Sequence, residues 1–189
     1  MAKLTITVMI IFMAAMAVTP AFSASVEGPL EVAKWFKQME TKEEKMTKLH
    51  YYFHDITGVT SEVVANANIT ATSPTLFGLV KVCDNPVTVG PEFSSAPVGK
   101  LQGIYSYASI QDVNFICDFT LTFTNKKYNG STLIISGSNP PSLQHREMAV
   151  VGGTGVFRMA RGLAVLSFNS FDVAKGNATV ELDFLVQHY

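Results

Sequence analysis

The chain is poor in charge, in cysteine and in tryptophan. Only 15% of its 189 residues are Asp, Glu, Lys or Arg, and 14 basic residues stand against 15 acidic ones. There is no basic stripe to track a phosphate backbone and no basic patch to hold an anionic bilayer. Neither nucleic acid nor a membrane is therefore expected as a partner. Low charge beside 48% apolar residues also excludes a self-repelling, disordered chain. Two cysteines, Cys83 and Cys117, cannot build a disulfide-rich scaffold. They read first as two small buried hydrophobes, with one disulfide as the alternative.

Several catalytic signatures are missing. No Gly-x-Ser-x-Gly elbow occurs, so a serine hydrolase has no support. The Gly-rich "VVGGTGVFRMARG" (150–162) lacks a Walker lysine and no helix follows it, so its glycines fit a tight β-turn. His50, His54, His145 and His188 show no metal-ligand spacing. Neither a metal nor a cofactor is expected. After Leu49 no helix-length amphipathic segment appears, which excludes a doubly wound α/β fold.

The one long hydrophobic run is N-terminal. "MAKLTITVMIIFMAAMAVTPAFSA" has Lys3, an apolar stretch to about Val18, then Pro20 and small residues. That pattern is a secretory signal peptide, residues 1–23 with cleavage after Ser23, and it is short for a membrane span. Three sequons agree with secretion: Asn68, Asn129 and Asn177, each followed at the second position by Thr or Ser. Residues 24–47 then form an extension. Within it 27–47 is charged and helical, with a weak apolar stripe of Leu30, Ala33, Trp35, Phe36 and Met39.

Residues 48–189 read as one all-β domain. Gly, Pro, Asn and Ser punctuate runs rich in Val, Ile, Phe, Tyr and Thr. The expected strands are Leu49–Ile56, Asn68–Thr72, Leu76–Asp84, Leu101–Ser109, Phe115–Thr124, Gly130–Ser136, Glu147–Val151, Val156–Phe168 and Ala178–Gln187. Several carry large apolar residues on both faces, as in "FICDFTLTF". A closed barrel whose interior takes one face and a partner subunit the other explains this. About eight strands close a barrel wide enough for one small ligand.

Polar residues embedded in these strands point to that interior. In "KLHYYFHDI" alternation puts Leu49, Tyr51, Phe53 and Asp55 on one face, and His50, Tyr52 and His54 on the other. Asp84 ends "LVKVCD", Tyr105 and Tyr107 share a face of "GIYSYA", and Arg146 opens "REMAVV". A buried carboxylate costs several kcal/mol unless paired or protonated. Asp55 is thus either partnered, for instance by Arg146, or a poised acid. Tyrosines hydrogen-bond phenols and stack on aromatic rings. The competing explanation is structural: Asp55 and Asp84 as turn residues and the tyrosines as core.

The segments "LHYYFHDI" (49–56), "FGLVKVCDNPVT" (77–88), "VGKLQGIYSY" (98–107), "KKYNGSTLIISGSNP" (126–140) and "REMAVVGGTGVFRMARGLA" (146–164) resemble the plant dirigent proteins. The resemblance spans nearly all of the chain beyond the leader. It implies an eight-stranded antiparallel β-barrel similar to allene oxide cyclase, assembled as a homotrimer and secreted to the apoplast. It implies a role in phenylpropanoid and lignan biosynthesis or plant defence: capture of phenoxy radicals made by a separate oxidase, a laccase or peroxidase, and stereoselective coupling. Some members instead are pterocarpan synthases, which dehydrate isoflavanols through a quinone methide. By motif, the resemblance carries pocket roles to Asp55, Asp84, Tyr105, Tyr107 and Arg146. Phe53 shares the face of Asp55. Asn139 stands where lignan-forming members carry an aspartate, and Lys100 where the family has arginine. The first departure weakens lignan-type coupling; in the second, lysine keeps the charge but loses the bidentate fork. Radical coupling, isoflavanol dehydration and a defence protein without specific chemistry are the three functions to be weighed.

Overall fold

The computed structural model describes residues 27–172 and 174–189. The expected signal peptide lies outside the described residues. A helix α1 (Pro29–Gln38) precedes strands β1 (Lys45–Asp55), β2 (Ser61–Ala65), β3 (Val80–Thr88), β4 (Pro97–Tyr107) and β5 (Phe115–Phe123). The chain continues through β6 (Thr132–Asn139), β7 (His145–Thr154), β8 (Arg161–Asp172) and β9 (Asn177–His188).

All pairings between these strands are antiparallel, in the order β1-β9-β8-β7-β6-β5-β4-β3. The ring closes where Tyr52 faces Thr88 and Phe53 faces Val87. Eight strands therefore form a closed barrel. The ninth, β2, takes over the edge of β3 where β1 leaves it, beginning with Ser61 opposite Cys83. The chain turns between β1 and β2 at Ile56–Thr60, where the Thr60 hydroxyl accepts from the Ile56 amide at 2.8 Å and Gly58 takes φ 79°.

Alternation fills the interior. From β5, Cys117, Phe119, Leu121 and Phe123 point inward; from β9, Val180, Leu182, Phe184 and Val186 do so. Each such side chain contributes roughly 1.5–3 kcal/mol by leaving water. One end is packed solid with aromatics: Phe123, Tyr128 and Phe157 lie 5.0–5.4 Å apart by ring centroid. The outer surface is not uniformly polar, and Val82, Ile104 and Ile116 on adjoining strands are exposed.

Several expectations need correction: β2 is not among the expected strands, β3 runs Val80–Thr88 rather than Leu76–Asp84, and three further elements differ. Asn68–Thr72 is not a strand. The Thr70 hydroxyl accepts from the Ala67 amide and donates to the Phe77 carbonyl, closing a 3₁₀ turn over Thr70–Thr72 instead. The run Val156–Phe168 is split: Gly155–Phe157 is a 3₁₀ turn and β8 begins only at Arg161, after Met159 at φ 57°. The N-terminal helix ends at Gln38, and β1 starts at Lys45, three residues before the expected start of the barrel domain. No residue of α1 is buried. It is tied down by Trp35, whose ring lies 5.1 Å from the Arg158 guanidinium, and by the Glu27–Arg158 pair at 3.0 Å. Among the described residues no helix is long and apolar enough to cross a membrane.

Candidate functional site

Opposite the packed end the barrel is hollow. The cavity has a volume of about 700 Å³ and an apolar wall that includes Phe53, Phe115, Phe119, Phe168 and Val180. The loop between β2 and β3 supplies Pro74, Leu76 and Leu79. That loop is braced by Thr75, whose hydroxyl donates to the Ser109 carbonyl at 2.8 Å.

Asp55 enters this cavity because it sits on the inward parity of β1 with Phe53 and Leu49. One of its oxygens accepts from the Ser61 hydroxyl and the other from the Tyr105 hydroxyl at 3.0 Å. Ser61 is the first residue of β2, so the β1–β2 turn exists in part to fold this donor back on the carboxylate. Burial raises the Tyr105 phenol pKa, and the neighbouring Asp55 charge raises it further. Tyr107 is pushed the same way, first by burial and then by Asp55. Both hydroxyls therefore stay protonated and available as donors at neutral pH. Tyr107 packs edge-on against Phe115 at 4.6 Å, which fixes its ring.

Arg146, on β7, is 2% exposed and lines the same cavity. Its guanidinium lies 4.0 Å from the Phe168 ring centroid, and Nη1 donates to the Leu143 carbonyl at 3.3 Å. No carboxylate lies within 4.0 Å of it among the described residues. Of the two alternatives for Asp55, the pairing with Arg146 is thus not formed. Burial lowers the Arg146 pKa, although an arginine remains charged. Its Nε has no hydrogen-bond partner, nor does the buried Asn139 Oδ1. Asn139 Nδ2 approaches the Cys117 sulfur at 3.7 Å.

Of the sequence candidates, Phe53, Asp55, Tyr105, Tyr107, Asn139 and Arg146 line one cavity. Asp84 and Lys100 do not. Both project outward from β3 and β4, where they pair at 2.6 Å and remain half exposed. Alternation explains it: Lys81, Cys83, Asn85 and Val87 take the inward parity of β3, leaving Asp84 outside. Asn68 and Asn129 are exposed, whereas Asn177 is half-buried and accepts from the Thr57 amide at 3.1 Å. Cys83 and Cys117 are free and buried, with both thiols pushed up to about 12 chiefly by desolvation. Such thiols are poor nucleophiles. His50, Glu181 and Asp183 gather on the outer face, away from the cavity, with His50 already bonded to Asp183 at 2.7 Å.

Sequence reasoning missed Lys81, Phe115, Cys117 and Phe168 as cavity residues, and Ser61 as the donor to Asp55. Lys81 had a usable signal, being a lone lysine in the apolar run "LVKVCD". A second hollow of about 640 Å³ opens on the outer surface between His54, Glu92, Phe93 and Asp172. Among the described residues its lining includes neither lysine nor arginine.

A model of the dirigent-like protein family matches residues 46–187. The chain belongs to the dirigent family. Pterocarpan synthase 1 of Glycyrrhiza echinata is 47% identical over 152 residues, covering 78% of this chain and 81% of that protein. Dirigent protein 21 of Arabidopsis thaliana is 43% identical over 150 residues, covering 78% and 79%. A solved pterocarpan synthase dirigent protein superposes with a TM-score of 0.73 at 47% identity, over 79% of this chain and 88% of that one. The barrel strands from Met46 to Gln187 and the cavity residues Asp55, Tyr105, Tyr107 and Arg146 of this dirigent protein lie within the matched span.

Proposed function

We propose that this dirigent protein binds a flat phenolic in the barrel cavity and controls how a quinone methide derived from it closes, as a dehydratase of the pterocarpan-synthase type. The carrying observation is one cavity with the Asp55–Tyr105 pair and, apart from it, a guanidinium that has no counter-ion within 4.0 Å among the described residues. Similarity to pterocarpan synthases from two legumes, at 47% and 46% identity, supports the same choice.

The chemistry follows from the residues. Arg146 donates to the phenolic oxygen and favours its anionic form. The phenol gives up its proton to solvent, the electron pair of its oxygen moves through the ring and expels a benzylic hydroxyl, and that hydroxyl leaves as water with a proton that the Asp55 carboxylate has taken up from solvent. The resulting quinone methide is attacked by a second hydroxyl of the same molecule. A C–O bond forms, the attacking hydroxyl's proton returns to Asp55, and the ring oxygen is reprotonated. The net change is loss of one water. Tyr105 and Ser61 orient the carboxyl group, and the aromatic wall holds one face of the guest against the attacking oxygen. Such holding needs to separate two outcomes by only ~2–3 kcal/mol for strong selectivity.

Incubation of the purified protein with an isoflavanol, without any oxidase, tests this reading. Ring-closed product that falls about a hundredfold or more in Asp55→Asn supports it. No product, together with stereoselective coupling of a monolignol only when a laccase or peroxidase is added, replaces it by phenoxy-radical orientation with that oxidase as partner. Arg146 and the tyrosines would then only position the radical. Secretion to the apoplast, cleavage after Ser23 and use of the sequons belong to the same proposal. So does a homotrimer, for which the exposed apolar residues Val82, Ile104 and Ile116 offer a surface.

A further inference from the structure

We infer that Lys81 makes the cavity selective for phenolics that carry a second, anionic oxygen group, a carboxylate above all. The inference rests on the phenolic-binding reading and adds to it the charge of the ligand.

Lys81 comes from the inward parity of β3, is 6% exposed and lines the cavity. Its Nζ makes one hydrogen bond among the described residues, donating to the Thr57 hydroxyl at 3.0 Å. That hydroxyl in turn donates to the Gly176 carbonyl at 3.0 Å, which anchors the lysine beside the β8–β9 turn. The ammonium stands 5.5 Å from the Tyr105 ring centroid, the ring whose hydroxyl holds Asp55. Yet no carboxylate oxygen lies within 4.0 Å of Nζ among the described residues. Both oxygens of Asp55 are already engaged, by Ser61 and Tyr105.

The ionisable lining is lopsided. Three cations, Lys81, Arg146 and Lys175, face a single carboxylate, Asp55. Lys175 has its own partner in Asp172 at 3.6 Å. Lys81 and Arg146 have none, and both are buried. A buried cation without a counter-ion is costly, and an apolar-walled cleft focuses its field on whatever enters. Two unneutralised cations in one apolar chamber fit a guest with two oxygen functions. One is the phenolic oxygen at Arg146. The other reaches the remaining N–H groups of Lys81 near Tyr105. A neutral guest would leave the ammonium desolvated and unpaired, whereas a carboxylate meets it with a charge-assisted bond.

The test is a pair of probes, 4-hydroxycinnamate and its methyl ester, titrated at pH 7 against the full protein by calorimetry. They differ in charge and by one methyl group. The expected result is about tenfold tighter binding of the acid to the native protein. In Lys81→Met the ratio of the two dissociation constants falls towards one, and in Lys81→Arg it returns. Thermal midpoints of both variants establish that they fold. A merely structural lysine would shift both probes together and leave the ratio unmoved. Equal binding of acid and ester to the native protein, or a ratio that survives Lys81→Met, overturns the inference and leaves the phenolic-binding reading standing. Failure of both probes to bind the native protein overturns the two together.

Discussion

The two ends of this barrel are made from the same strands and are opposite in design. On β1, Leu49 is buried at the packed end and Asp55, six residues on, faces the cavity. On β5, Phe123 is fully buried in the aromatic cluster and Phe115 lines the void. At the packed end aromatic rings touch each other, and Phe157 also meets His188 at 5.1 Å. At the hollow end the rings carry hydroxyls or border empty space, and charges appear where methyl groups would pack better. One end is packed throughout, and the other gathers polar and charged groups around a cavity. The close approach of β4 to β5 helps the change of character. Gly103 lies on the inward parity next to Tyr105, and a Cβ there would sit 2.1 Å from the Asp118 carbonyl oxygen.

Separating the two ends by mutation should give the largest effects. Phe157→Ala opens a cavity at the packed end and should cost about 3–5 kcal/mol of unfolding free energy, read from denaturant titration. Binding by the molecules that remain folded should change little. Asp55→Asn should do the reverse. Turnover or stereoselectivity should fall about a hundredfold or more, while the unfolding midpoint holds or rises, because a half-buried charge is removed with its shape kept. A variant at either end that damaged both properties equally would show that the division is false.

A milder contrast lies across the wall of the barrel. His54 is on the outward parity of β1 and yet is buried under Phe93, at 5.2 Å between ring centroids. The Thr88 hydroxyl donates to the Gly90 carbonyl, so it accepts from His54 Nε2–H at 2.8 Å. Burial lowers the His54 pKa below its ordinary 6.5. The unfolded chain then binds the proton more readily than the folded one. Stability from this residue is full above about pH 6.5 and is lost as pH falls towards the folded value. The native protein should lose more stability between pH 7 and 5.5 than His54→Gln does, as measured by thermal midpoints across that range. Equal slopes would remove His54 from the account.

How much of this was legible follows the same inside–outside logic. The barrel could be read because apolar residues on both strand faces admit few other architectures. Asp55 could be placed because Leu49, Tyr51 and Phe53 vote together for one parity. In β3 the vote is tied: Val80 and Val82 share the parity of Asp84, while Cys83 and Val87 share that of Lys81. Composition cannot break the tie, and a slip of one residue exchanges the whole face. The structure settles it by the register of Lys81 opposite Tyr105. Ser61 was out of reach for another reason, since its role depends on the turn that brings β2 back beside Asp55, a tertiary event without a local signature. Asn68–Thr72 looked like a strand because its β-branched residues have high strand propensity, and the side-chain bonds of Thr70 overrode that preference.

The smallest expected effect bears on the residue whose parity could not be read. Asp84 and Lys100 form a pair at 2.6 Å on the outer surface, each about half exposed. Exposed ion pairs contribute roughly 0–1 kcal/mol, because solvent screens them and ordering two side chains costs entropy. Asp84→Asn should therefore leave turnover within about twofold of the native protein, and should shift unfolding free energy by less than about 1 kcal/mol. The contrast with Asp55→Asn is the point. Both substitutions remove one carboxylate charge, ahead of a turn in one strand and mid-strand in the other, and only the barrel wall lies between their expected consequences. A large loss of activity in Asp84→Asn would mean that the outer face of β3 meets the reacting molecule, and the interior could no longer be the whole site.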